Sequence, residues 1–175
     1  MKAQNIIIAL AIIAVVVGVI LIGDLLERRG DTKYARVFLP PVDNALYEAE
    51  CGSCHFLYLP GLLPVGSWTR LIDGSDEHFG HALGLDAGVK EKLGAYLAAN
   101  AAETTGAKRS GRILDSLAGA TPLRITETPY IKRKHQWIKA IVYERESIRS
   151  FSNCIACHTT AAEGNFREAN VVTPK

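Results

Sequence analysis

Cys51-Gly52-Ser53-Cys54-His55 and Cys154-Ile155-Ala156-Cys157-His158 together hold all four cysteines of the chain and two of its five histidines. The pattern C-x-x-C-H is the attachment motif of c-type haem. Two thiols three positions apart reach the two vinyl groups on one edge of a porphyrin. The histidine that follows supplies its imidazole to the iron. The two stretches therefore predict two covalently bound haems c. Cys51 and Cys54 hold one and Cys154 and Cys157 the other, with His55 and His158 as iron ligands.

Other uses of these cysteines fit less well. Paired C-x-x-C motifs that share one zinc usually lie about 15–20 residues apart, whereas these are separated by roughly a hundred. Zinc also gives no reason for a histidine after each pair. A thioredoxin-like redox pair would need a βαβ context, which is missing around Cys51. Two small-loop disulfides would suit an oxidising compartment, yet they leave both histidines unexplained.

Each iron has a second axial position. Methionine commonly fills it in cytochromes c, but the only methionine in this chain is Met1. The candidates are His78, His81 and His135, or an open site. His78 lies 23 residues after His55, and His135 lies 23 residues before His158. Either interval is long enough to bring a ligand over the far face of the ring. His78 is favoured over His81 because Phe79-Gly80 follows it. Sequence proximity pairs His78 with His55 and His135 with His158. Arg70, Lys132, Arg133 and Lys134 lie near these positions and are candidate partners for haem propionates. An ordinary solvated charge cluster explains them equally well. Trp68, Phe56, Tyr58, Phe79, Tyr130 and Trp137 surround the same motifs and read as pocket packing.

Outward from the motifs, the chain reads as mainly α with extensive loops. Asp43 or Asn44 can cap a helix running into Cys51. Asp86 can cap a helix to about Asn100, with Val89, Leu93, Tyr96 and Leu97 at helical spacing. Residues 56–67 carry two prolines and two glycines and read as irregular loop, and 101–129 as mostly loop. A helix is expected over 129–142 and a short one before Cys154. Nothing alternates long enough to predict a sheet. So little regular structure is poor at burying an apolar core, so something other than side chains is expected to fill the middle.

At the N-terminus no charge stands between Lys2 and Asp24, and Ile6–Ile22 is almost wholly aliphatic. With its uncharged flanks this run reaches the ~20 residues that cross a bilayer core as a helix. It ends in Leu-Ile-Gly-Asp, without the small-x-small site of a cleaved signal peptide. The expectation is a single transmembrane helix over 1–24, a juxtamembrane linker over 25–42 and a haem domain over 43–175. The bases after the span outnumber Lys2, so charge alone would place the domain in the cytoplasm. Haem attachment takes place outside the cytoplasm, and this overrides the charge rule. The expected location is the bacterial inner membrane, single-pass, with a cytoplasmic N-terminus and a periplasmic haem domain. A net charge of +2 gives no reason to expect a nucleic-acid partner.

Longer strings carry a resemblance. Cys51-Gly-Ser-Cys54-His55-Phe56 runs on through Pro60-Gly-Leu-Leu-Pro64 to Trp68 and His78-Phe79-Gly80. Arg124-Ile-Thr-Glu-Thr-Pro129-Tyr130 leads to Lys134-His135, and Ser152-Asn-Cys154-Ile-Ala-Cys157-His158 is trailed by Gly164-Asn-Phe166. Over 45–170 the chain resembles the bacterial dihaem cytochrome c family. The resemblance implies two low-potential, bis-histidine haems with His78 and His135 as the distal ligands. It also implies an electron-transfer role, with partners such as a b-type or other quinone-linked membrane subunit or a small periplasmic monohaem cytochrome c. Two departures stand out. The anchor is expected to be retained here, and His81 stands where an acidic or small residue is expected. The anchor favours a carrier fixed beside a membrane complex over one that diffuses freely. Six-coordinate iron leaves no open site for a substrate, so the expectation is an electron carrier and not an enzyme. A haem-bearing subunit of a larger membrane oxidoreductase is the alternative. A third reading, an enzyme with an open distal site, could draw acid–base help only from Glu103, Glu127 or Glu163.

Overall fold

In the computed structural model, which describes residues 12–19, 22 and 38–175, every regular element is helical. The chain divides into two compact units, Met1–Ala35 and Arg36–Lys175. In the first, residues 12–19 are helical, and Ile12, Ile13, Val15, Val16, Val17 and Val19 are all exposed. Among the described residues no helix is long and apolar enough to cross a membrane. The expected span over 1–24 falls largely outside those residues, as does most of the linker to 42.

The second unit contains, among its described residues, α1 (Ala45–Cys51), α2 (Val65–Asp73), α3 (Ala87–Asn100), α4 (Lys108–Leu117), α5 (Pro129–His135) and α6 (Ala140–Tyr143). Short 3-10 turns lie between and after them at Pro60–Leu62, Ser75–Glu77, Ile125–Glu127, Cys154–Ala156 and Glu168–Asn170. The expected caps are in place. Asn44 accepts the Tyr47 N–H at 2.8 Å and starts α1, and Asp86 accepts the Val89 N–H at 2.9 Å and starts α3. Each satisfies one of the amides that a helix start leaves unpaired. α3 follows its predicted bounds, with Leu93 and Leu97 fully buried on its inner face.

Three expectations need correction. Within 101–129, expected to be mostly loop, lies a ten-residue helix, α4, that the sequence reading did not place. Its buried stripe is Ser110, Gly111, Ile113 and Leu117, and two small residues in four dilute the apolar signal. Ser110 is buried because its hydroxyl donates to the Gly61 carbonyl at 2.8 Å. The helix expected over 129–142 is broken after His135, where Ile138 N–H turns back to the His135 carbonyl. The region 56–67 is more ordered than a loop, since Pro60–Leu62 forms a 3-10 turn and α2 begins at Val65.

The middle of the unit is also filled by side chains. Leu39, Tyr47, Leu59, Leu62, Leu63, Trp68, Leu93, Leu97, Ile113 and Ile125 belong to one buried cluster. α2 packs against α3 and α4 against α5. Leu and Trp in a few short helices suffice because each is almost completely covered, and full burial of such a side chain stabilises by about 1.5–3 kcal/mol. The cysteine motifs lie outside this cluster's fully buried part. Cys51 is half-buried, and Cys54 and His55 are exposed.

Candidate haem-binding sites

No disulfide joins the four cysteines, and the two motifs present them in turns. Cys51 ends α1, and Gly52–Cys54 turns away from it. Cys154–Ala156 is a 3-10 turn in which the Cys157 and His158 N–H groups both return to the Cys154 carbonyl, at 3.3 and 2.8 Å. The two thiols of each motif therefore do not share one α-helical turn. In a 3-10 turn the side chains at i and i+3 eclipse, which serves the same end. Among the described residues no group of three or more His, Cys, Asp or Glu could hold a bare metal ion.

The structure brings the histidines together in two pairs. His55 and His78 have ring centres 6.4 Å apart and planes 26° from parallel. His135 and His158 have ring centres 5.9 Å apart and planes 78° from parallel. A metal–imidazole bond is about 2.0–2.1 Å, and the ring centre lies roughly 1 Å beyond the nitrogen. Two imidazoles on one iron thus place their centres about 6 Å apart, and both pairs fit. Nδ1 of His55 donates to the Phe56 carbonyl and Nδ1 of His135 to the Ile131 carbonyl, both at 2.8 Å. Such a bond fixes the tautomer and leaves Nε2 free as a ligand. Nδ1 of His158 is buried with no partner. Burial, with smaller contributions from His55, Arg124 and His81, lowers the His78 pKa. Burial together with His135 and Arg109 lowers that of His158. Both shifts favour the neutral imidazole that a metal needs.

His81 takes no part in this pairing. It does not share a helix face with His78. His78-Phe79-Gly80-His81 is a tight turn closed by reciprocal amide bonds of 2.8 and 3.1 Å. Phe79 at φ 54° and Gly80 at φ 93° form its centre, the left-handed pair such a turn demands. His78 is half-buried and His81 is exposed. Gly80 is there for the turn, since a Cβ on it would meet nothing.

Tyr58 and Phe79, expected as pocket packing, do lie against the histidines, and other neighbours were not legible in advance. Tyr58 joins the two motifs. Its ring lies 5.0 Å from that of His55, and its hydroxyl donates to the Ser152 carbonyl at 2.8 Å, two residues before Cys154. Each histidine pair is also flanked by a phenylalanine carrying an arginine. The Arg124 guanidinium sits 3.8 Å over Phe79, whose ring is 4.7 Å from His78. Arg109 sits 5.0 Å over Phe166, whose ring is 5.4 Å from His158. The Tyr143 hydroxyl is buried without a hydrogen-bond partner among the described residues, and burial, with Cys157 adding to it, raises its pKa. Of the basic groups singled out from sequence, Arg70 is used elsewhere and donates to the Thr121 carbonyl at 2.6 Å. Glu103 accepts the Val65 N–H at the start of α2, and Glu127 pairs with Arg124 at 3.8 Å.

This arrangement has known relatives. Residues 47–166 match the dihaem cytochrome c family. The chain belongs to that family. A diheme cytochrome c from Rhodobacter sphaeroides is 41% identical, with a TM-score of 0.63, over 74% of this chain and 100% of that one. A second structure, of DHC purified from Rhodobacter sphaeroides, is 39% identical with a TM-score of 0.57, over 72% and 99%. The diheme cytochrome type c of Shewanella baltica OS155 is 34% identical with a TM-score of 0.61, over 75% and 93%. Comparison with curated proteins gives no match. As a dihaem cytochrome c the chain carries two covalently bound c-type haems, and its four cysteines are the residues available to hold them.

Proposed function

We propose that this dihaem cytochrome is an electron carrier whose two irons are each held between two histidines, His55 with His78 and His135 with His158. The observation that carries this reading is the pair of ring separations, 6.4 and 5.9 Å, each joining a motif histidine to a second one. Bound haem supplies one-electron redox chemistry. Two cysteines would hold each haem by thioethers and two histidines would bind its iron, which would leave no place for a substrate. Cys51 and Cys54 serve the first haem and Cys154 and Cys157 the second. Tyr58 holds the two sites in register, and one electron at a time would pass between them.

The apolar exposed helix at 12–19 supports a membrane anchor ahead of a periplasmic haem domain. Anchoring would confine the domain beside its partners and raise their effective concentration. The partners proposed are a b-type or other quinone-linked membrane subunit on one side and a periplasmic cytochrome c on the other.

The test is the visible spectrum of the purified protein, oxidised, reduced, and reduced under carbon monoxide, with haem counted in the same sample. Two low-spin haems that ignore carbon monoxide are expected. One haem that binds it readily would mean an open distal site and would sink the carrier reading.

A further inference from the structure

The two histidine pairs are alike in spacing but not in ring orientation or surrounding charge. We propose that the iron held by His135 and His158 has the higher reduction potential of the two, and that Arg109 is the residue chiefly responsible. The inference rests on the bis-histidine reading above.

Charge comes first. A positive charge near an iron disfavours its ferric state and raises its potential, and the effect grows as the charge is withdrawn from water. At the first site the cation is Arg124, which is exposed and partly neutralised by Glu127 at 3.8 Å. Glu50 adds a negative charge there, since it joins burial in pushing the Cys51 thiol up to about 11. At the second site the cation is Arg109, which is half-buried. Its partners are neutral, the Phe166 carbonyl at 3.0 Å and the Tyr130 hydroxyl at 3.5 Å. Arg112 stands close enough to lower its pKa further after burial, and Arg145 lies near Cys157. The first site therefore mixes signs, whereas the hydrogen-bond partners of Arg109 at the second are neutral.

Ring orientation points the same way. Ferric low-spin iron has one hole in its dπ orbitals. Near-parallel imidazoles, such as His55 and His78 at 26°, both donate into the same dπ orbital and stabilise that hole. Near-perpendicular ones, such as His135 and His158 at 78°, divide their donation and stabilise it less.

The ring angles also label the irons for the experiment. Near-parallel planes give a rhombic ferric EPR signal, and near-perpendicular planes a highly anisotropic one with a large maximum g value. In a stepwise titration with dithionite, each iron takes one electron in passing from Fe(III) to Fe(II). The anisotropic signal should disappear first. Loss of the rhombic signal first, or of both together, overturns the proposal. Absence of any low-spin pair would overturn it together with the bis-histidine reading, and that result looks different from a reversed order. Arg109→Gln should move the distribution of the first electron about tenfold towards the His55–His78 iron, since a one-electron couple shifts by 59 mV per decade. Arg109→Lys, which keeps the charge, should leave the order in place. An unchanged distribution in Arg109→Gln with both signals intact would remove Arg109 from the explanation. If that variant fails to assemble, the titration of the unaltered protein still decides the order.

Discussion

His135 shows how much rests on single side chains here. It closes α5, its Nδ1 is held by Ile131 at 2.8 Å, and its ring faces His158 across 5.9 Å. His135→Ala should turn one haem high-spin and five-coordinate while covalent haem content stays at two, as read by the visible spectrum and a haem assay. A spectrum that stayed low-spin at both sites would show that another residue fills the position. Tyr58 is the other single-residue case. Its hydroxyl bond to Ser152 spans 94 positions of sequence. Tyr58→Phe keeps the ring beside His55 and deletes that bond, so a loss of about 1 kcal/mol is expected in denaturant unfolding. The cysteines and the motif histidines were legible because C-x-x-C-H is a contiguous signature. His78 was favoured over His81 because Phe79-Gly80 follows it, and the Phe79 ring does lie 4.7 Å from that of His78; the turn itself depends on backbone angles at Phe79 and Gly80. Arg109 and Tyr143 gave no signal, because nothing near them in sequence tells of Phe166 or Cys157.

Among the elements, α1 and α3 were readable from their caps, which act within three residues. α2 was not. Pro64 at its N-cap has no side-chain donor or acceptor to offer, and the role passes to Glu103. Its two carboxylate oxygens take the Val65 N–H at 3.1 and 3.0 Å from 38 residues away. A carboxylate there also meets the positive end of the helix dipole. Glu103→Ala should cost about 0.5–2 kcal/mol, measured as a lower urea midpoint with the haem spectrum unchanged. A spectral change instead would mean that this glutamate reaches the haem chemistry. α4 escaped notice because its buried face is half Ser and Gly. The periodic pattern that marks a helix weakens when small residues are buried to let Gly61 approach: a Cβ on Gly61 would come within 3.0 Å of Ser110 Oγ. α5 and α6 were merged because Gln136–Lys139 carries no proline or glycine to announce the break.

At the scale of the second unit, the chain closes on itself. The Leu39 N–H meets the Gly164 carbonyl at 3.2 Å. Gly164 adopts φ 77°, and a side chain there would collide with the Leu39 carbonyl oxygen. Gly164→Ala combines a left-handed backbone with that clash. A loss of about 2 kcal/mol or more is expected, seen as a fall in Tm with haem content still two. No change in Tm would mean that the closure contributes little. The C-terminal tail adds a second clasp, where the Val172 N–H reaches the Cys157 carbonyl at 2.9 Å and Arg145 reaches the Pro174 carbonyl at 2.6 Å. Four cysteines and two adjacent histidines determined by themselves that the chain binds two haems c, and the lack of a second methionine left histidine as the sixth ligand proposed here. Thioether attachment and axial ligation are chemistry of local spacing and residue type, and both can be counted along a chain. Which histidine faces which, how the ring planes are turned and which arginine stands over which phenylalanine were decided only by the tertiary structure. Those depend on contacts between α4, α5 and the C-terminal turns, and ring angle and charge environment leave no trace in spacing.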